Sequence, residues 1–165
     1  MSSRPIVRYP NPLVREKCVH ADPASPETQE IVRDLWDTLD AHVGVGLAAP
    51  QIAAAARIIV VDARRARRPC KNHGRLALIN PEIILSEGTI SFREGCLSIP
   101  DVVAHVRRAE RVTVAATLPG GARMTITTEG FEAVILQHEI DHLDGVLFID
   151  RVRRARDLKL RPQTK

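Results

Sequence analysis

QHEIDHLDGVLF, residues 137–148, sets two histidines four positions apart with a glutamate beside the first. In an α-helix, residues four apart stand one above the other on the same face. His138 and His142 would therefore present their imidazoles to one point, where a metal ion could be held. Glu139 lies about 100° further round the helix and can flank that point without ligating it. That is where a general base for a metal-activated water is needed. Phe131, Val134 and Ile135 share the ligand face and would set an apolar wall beside the metal. The spacing predicts a helix from Phe131 to about Leu143, with Gly145 placed to end it. The alternative is an amphipathic helix with two satisfied histidines.

Two ligands do not hold a catalytic metal, so a third is required. The zinc-protease pattern HExxHxxGxxH supplies a third histidine. Here the glycine is present as Gly145, but the last position is Phe148, and no glutamate follows Glu139. The third ligand must come from upstream. Cys70 and His73 form a C-x-x-H pair, yet they sit among Arg64, Arg65, Arg67, Arg68, Lys71 and Arg75, an unfavourable setting for a dication. Cys18 has no polar cluster around it, and His20, His42 and His105 read as ordinary histidines. Cys96, in REGCLSIP, has Gly95 beside it for close backbone approach and Glu94 and Ser98 as supporting polar groups. On its own it would read as a small buried thiol. Beside an incomplete HExxH, the metal reading overtakes that one. A thiolate with two imidazoles leaves a tetrahedral ion one open position.

Around this core the chain reads as one domain over residues 1–165, with a basic tail from about 151. Its 165 residues carry 44% hydrophobic, 27% charged and only 3% aromatic residues, with a net charge of +4. That suits a soluble domain with an aliphatic core and argues against a base-stacking single-strand binder. Three widely spaced cysteines suggest a reducing compartment. MSSRPIVRYPNP lacks the apolar stretch of a secretion signal, and VGVGLAAPQIAAAARIIVV is too interrupted to span a membrane, so a cytoplasmic protein is expected.

Ser25-Pro26-Glu27 opens a helix running to about His42. RIIVVDA, LALINPEIILSEG and TISFREG read as strands. VVAHVRRAERVTVAATL reads as one long bent strand, turned by PGGA into RMTITT. VLFID reads as a last short strand, and RVRRARDLKLRPQTK as a fraying C-terminal helix. Many strands with few helices predict an α+β fold built mostly of antiparallel strands, with one N-terminal helix, the HExxH helix and a short C-terminal helix.

Three segments in this order, GVGLAAPQ (44–51), EGCLS (94–98) and QHEIDHLDG (137–145), resemble the motifs of the peptide deformylase family. The resemblance extends from residue 5 to about 150. It implies small sheets wrapped around a central HExxH helix, and Cys96, His138 and His142 as ligands of one divalent metal. Fe(II) is the ion implied, with Zn, Ni or Co as substitutes in a purified sample. Glu139 becomes the catalytic acid/base, and Gln51 and the backbone N–H of Leu97 the oxyanion donors. The reaction implied is removal of the formyl group from N-formylmethionine of nascent polypeptides, with release of formate, in the bacterial cytoplasm.

The chemistry agrees with that implication. A formamide is a poor electrophile, and a metal lowers the pKa of bound water to about 7, so hydroxide becomes available near neutrality. One well-placed oxyanion donor contributes roughly 3–4 kcal/mol in comparable acyl chemistry. GVGLAAPQ also fits a dinucleotide fingerprint, but Pro50 would stand in the first turns of the phosphate-binding helix and βαβ units are lacking. Gly44, Val45 and Gly46 instead read as an extended edge along which a substrate peptide pairs its backbone. Val45, Phe131, Val134 and Ile135 would line a methionine pocket. Val102 and Val103 stand where some relatives carry an arginine or an aromatic residue. The tail, with seven cations against Asp157, reads first as a solvated face and secondly as a ribosomal RNA contact. The expected molecule is a monomer with no membrane association. Two other functions compete: a small peptidase using the same helix, and a basic RNA-binding domain with an inert metal core.

Overall fold

The computed structural model describes residues 3–161. Helix α1 spans Pro26–Asp40 and helix α2 spans Phe131–Leu143. Eight strands follow in chain order: β1 Gly46–Ala48, β2 Ile58–Asp62, β3 Arg75–Glu87, β4 Ile90–Cys96, β5 Ile99–Arg108, β6 Arg111–Thr117, β7 Arg123–Glu129 and β8 Leu158–Leu160. They form a five-stranded sheet in the order β1-β2-β3-β6-β7 and a three-stranded sheet in the order β4-β5-β8. Every ladder is antiparallel. The fold is α+β, as expected.

Helix α2 is enclosed on all sides: every residue from Glu132 to Leu143 is buried. Its Ile135, Leu136, Ile140 and Leu143 pack with Ile59, Val61, Leu78, Val112 and Val114 of the large sheet. Near its C-terminal end, Leu147 and Phe148 pack with Cys96, Ala104 and Val106 of the small sheet. Leu35 and Leu39 of α1 cover β1 and β2 in a separate cluster. The N-cap of α1 is Ser25, whose hydroxyl accepts the Thr28 N–H at 3.1 Å. Past α2, Gly145 has φ 72°, and a β-carbon there would overlap the Arg15 carbonyl, so the helix end needs glycine.

The stretch expected as one long bent strand is two strands in different sheets. The break falls at Ala109, whose N–H and carbonyl both bond the Gln137 side chain of α2, each at 2.9 Å. With both backbone groups taken by a helix side chain, Ala109 cannot continue a ladder. VLFID is not a strand. Phe148–Arg151 forms a 3-10 turn in which the Leu147 N–H bonds Asp150 Oδ2 at 2.8 Å.

The expected C-terminal helix is also absent from the described residues. Ala155–Asp157 makes a 3-10 turn, and Leu158–Leu160 pairs with Val102–Ala104 of β5. Arg153 and Arg156, three apart, would repel along a helix, whereas the free edge of β5 satisfies the tail's backbone. Residues 162–165 of that expected helix lie outside the described residues. No described helix is long and apolar enough to cross a membrane.

Candidate metal centre

Strand β4 ends at Cys96, where the β4–β5 register shifts between Gly95 and Cys96 and the chain turns back at once into β5. Cys96 shares the alternation parity of the buried Glu94, so its thiol faces α2. Its Sγ lies 3.3 Å from Nε2 of His142, and one ligand atom each from Cys96, His138 and His142 lie within 4.8 Å of one another. Donors of a tetrahedral ion with bonds of 2.0–2.3 Å stand about 3.5 Å apart, so a small cation fits among them with little movement. The donor set of one sulfur and two imidazoles suits Zn or Fe rather than Mg or Ca.

Electrostatics fit the same use. Burial opposes ionisation of the Cys96 thiol, but His142 and His138 outweigh it and hold the group well below the usual thiol range. A thiolate is the form that ligates. Glu94, in the same strand, is held at about 2: burial pushes it up, while Arg108 and His138 pull it down further. Its Oε2 lies 2.8 Å from Nδ1 of His138. A carboxylate acceptor requires Nδ1 to carry the proton, which leaves Nε2 of His138 for the ion.

Glu139 is buried beside these three groups, and its Oε2 has no hydrogen-bond partner among the described residues. Burial pushes its carboxyl up to about 7, with His138 and His142 pulling the other way. A group of that pKa takes and releases protons near neutrality.

Gln51 projects from the 3-10 turn Ala49–Ile52 and is fixed at both ends of its amide. Oε1 accepts the Ala48 N–H at 2.9 Å, and Nε2 donates to Ser98 Oγ at 3.1 Å with Cys96 Sγ at 3.5 Å. Leu97 lies in the turn after Cys96, half-buried against the α1 cluster. Gly44 and Gly46 flank Val45 at the start of β1, which is an edge strand, and the Asp62 N–H bonds the Val45 carbonyl at 2.8 Å. Of the side chains expected around a methionine pocket, Ile135 belongs to the main core, and Val45 and Phe131 pack half-buried against it. Val134 is buried, and Phe131 stacks on Phe92. Phe148, standing where longer motifs carry a third histidine, stacks on His138 with ring centroids 6.1 Å apart.

Cys70 and His73 take no part. The Cys70 thiol faces the Ala63 carbonyl, and His73 bonds the fully buried Glu132. The loop's Arg64, Arg65, Lys71 and Arg75 are paired with Asp62, Asp40, Glu129 and Asp40.

Three residues of the site escaped sequence reading. Arg108, with a side chain 2% exposed, bonds Glu94 through Nε (2.7 Å) and Nη2 (2.9 Å) and Asp141 through Nη1 (2.5 Å). Asp141 in turn is gripped by Arg151. A signal existed for Arg108: it shares alternation parity with the buried Ala104 and Val106, an arginine on the inward face of a strand.

A family model for polypeptide deformylase matches residues 3–157. The peptide deformylase of Acidobacterium capsulatum is 42% identical over 162 residues, covering 98% of this chain and 94% of that protein. That of Aquifex aeolicus is 40% identical over 152 residues, covering 91% and 88%. Among solved structures, a peptide deformylase from Legionella pneumophila superposes with a TM-score of 0.83 at 38% identity, covering 92% of this chain and 86% of that one. The Thermotoga maritima enzyme gives 0.84 at 31% identity, covering 93% and 100%. Matched by the family model and by relatives at 40% identity or more along nearly its whole length, the chain belongs to the polypeptide deformylase family of enzymes.

Proposed function

We propose that the chain removes the formyl group from N-formylmethionine of nascent polypeptides and releases formate. Cys96, His138 and His142 would hold one divalent ion, Fe(II) in the cell and Zn, Ni or Co as purification substitutes. When bound, the ion supplies Lewis acidity that makes water a competent nucleophile near neutral pH. The observation that carries this reading is the convergence of three ligand atoms within 4.8 Å beside the unpartnered Glu139 Oε2.

Each protein group has a distinct task. Glu139 accepts the proton of the attacking water and returns it to the departing amine. Its pKa of about 7 suits both directions. The Gln51 amide and the Leu97 N–H stand near the ligand cysteine, where negative charge develops on the formyl oxygen. The unpaired edge of β1 and the two residues before it, from Gly44 to Gly46, would take the substrate backbone as an added strand. Val45, Phe131, Val134 and Ile135 form the apolar surroundings offered to the methionine side chain.

The test compares formate release from a formyl-Met peptide with cleavage of an internal amide, using protein purified without oxygen. Formate release alone supports the reading. Internal cleavage would make the chain a peptidase, and metal binding without hydrolysis an inert core.

A ribosomal contact would use the outward face of the small sheet. Strand alternation places Arg93, His105, Arg107, Lys159 and Arg161 on one side of β4-β5-β8. Arg153, Arg154 and Arg156 are exposed beside it. None of these eight is in an ion pair among the described residues, which leaves the seven arginine and lysine charges available to phosphates. The active molecule is taken to be a cytoplasmic monomer.

A further inference from the structure

We propose that Arg151 is a positioning residue for the metal ligand His138, acting through three buried charged side chains. The proposal rests on the reading of Cys96, His138 and His142 as the metal ligands. Arg151 ends the 3-10 turn that follows α2, and its side chain is 45% exposed. It grips Asp141 with two bonds, Nε to Oδ2 and Nη2 to Oδ1, both 2.5 Å. Oδ2 of Asp141 also accepts from Nη1 of Arg108 at 2.5 Å. Arg108 clamps both oxygens of Glu94, and Glu94 Oε2 holds Nδ1 of His138. An unbroken line of charge-assisted bonds thus runs from a surface arginine to the ring of a ligand.

Charge balance gives Arg151 its role. Without it, the line holds two carboxylates, Glu94 and Asp141, and the single cation Arg108. Arg108 would be pulled toward Asp141 and away from Glu94. With Arg151 in place, each carboxylate has a guanidinium of its own. Arg108 can then keep its two-pronged hold on Glu94, and Glu94 keeps the His138 ring oriented with Nε2 toward the ion. Partners of a ligating histidine set both its orientation and its basicity.

The experiment uses the full chain, with Arg151→Gln, Arg151→Lys and, as a control of equal charge loss away from the network, Arg123→Gln. Zn(II) and Co(II) affinities are measured by competition with a chromophoric chelator, and the visible spectrum of the Co(II)-loaded protein is recorded. Thermal unfolding of the metal-free proteins and the kcat and KM for a formyl-Met peptide complete the set. Arg151→Gln is expected to weaken metal binding by about 10-fold, the lower end for partners of a ligating histidine. It should also shift the Co(II) bands and lower kcat while KM holds. Arg151→Lys should recover most of the affinity, and Arg123→Gln should match wild type.

Equal affinity and spectrum in Arg151→Gln and wild type would overturn the proposal, whatever the unfolding temperature does. A fall in unfolding temperature alone would make Arg151 a surface brace and nothing more. Should Arg151→Gln fail to fold, Arg151→Met, which also removes the charge, decides by the same readings: metal affinity and a Co(II) spectrum equal to wild type overturn the proposal. Wild-type protein that binds neither ion would instead bring down the metal reading itself.

Discussion

A β-carbon on Gly46 would stand 2.7 Å from Oε1 and 2.9 Å from Cγ of Glu139, so the edge strand and the Glu139 side chain are packed with no space for a methyl. Gly46→Ala must therefore push Glu139 aside. Displacement of a catalytic group by about 1 Å costs on the order of 100-fold in rate. We expect Gly46→Ala to lose about that much kcat while retaining wild-type metal content, measured by metal analysis beside formate release.

Glu139→Gln keeps the shape of the side chain and removes its proton chemistry. Turnover should fall by about 10²–10⁴, the usual contribution of a general acid/base. Metal content should be unchanged, since Glu139 is not among the three groups that could hold the ion. A variant with near wild-type turnover would point to another base.

Removing the ion should abolish formate release, and adding back Fe(II) without oxygen, or Co(II), should restore it. Cys96→Ser replaces the thiolate with a poorer donor. Its metal-to-protein ratio after dialysis should drop well below that of wild type. Cys18 makes a useful contrast: burial pushes its thiol up to about 11, so Cys18→Ala should leave metal content intact.

Glu94 predicts the acid behaviour of the metal-free protein. Its carboxyl is held at about 2 in the fold against an ordinary 4.5, so the charged form is favoured by folding. The stability it contributes is complete above pH 4.5 and is lost as pH falls from 4.5 through about 2. Denaturant midpoints of chelated wild type should decline across that window. Glu94→Gln should begin less stable and decline less. Parallel curves for the two proteins would contradict the assignment.

Reversing charge on the outward face, with Arg153→Glu, Arg156→Glu and Lys159→Glu together, should weaken co-sedimentation with ribosomes in low salt, and the wild-type signal should fall steeply with added salt. Ribosome binding equal to wild type would remove the RNA contact from consideration. Substitution is preferable to deleting residues 151–165, because deletion also removes the β8 pairing and the Arg151 grip on Asp141.

How far the sequence could be read depended on the range of the interactions involved. Helix α2 was legible end to end, because its i, i+4 histidines and the glycine that follows it act within one segment. The hairpin of β6 and β7 was legible because the PGGA turn and the alternation beside it are local. The strand break at Ala109 was not, because its cause is a glutamine 28 residues away whose amide takes both backbone groups. The tail misled for a related reason: its cationic run has no decided local preference, and the free edge of β5 settled it as a strand.

The sequence by itself determined the type of each chemical group and the face of the helix that carries His138 and His142. Only the tertiary structure brought Cys96 to within 3.3 Å of a residue 46 positions later. It alone aligned Arg108, Asp141 and Arg151 behind the site. Periodicity records hydrogen bonding and burial inside one element. Which elements meet is decided by the packing of whole sheets against α2, and charges that pair across such a junction leave no repeat in the chain to reveal them.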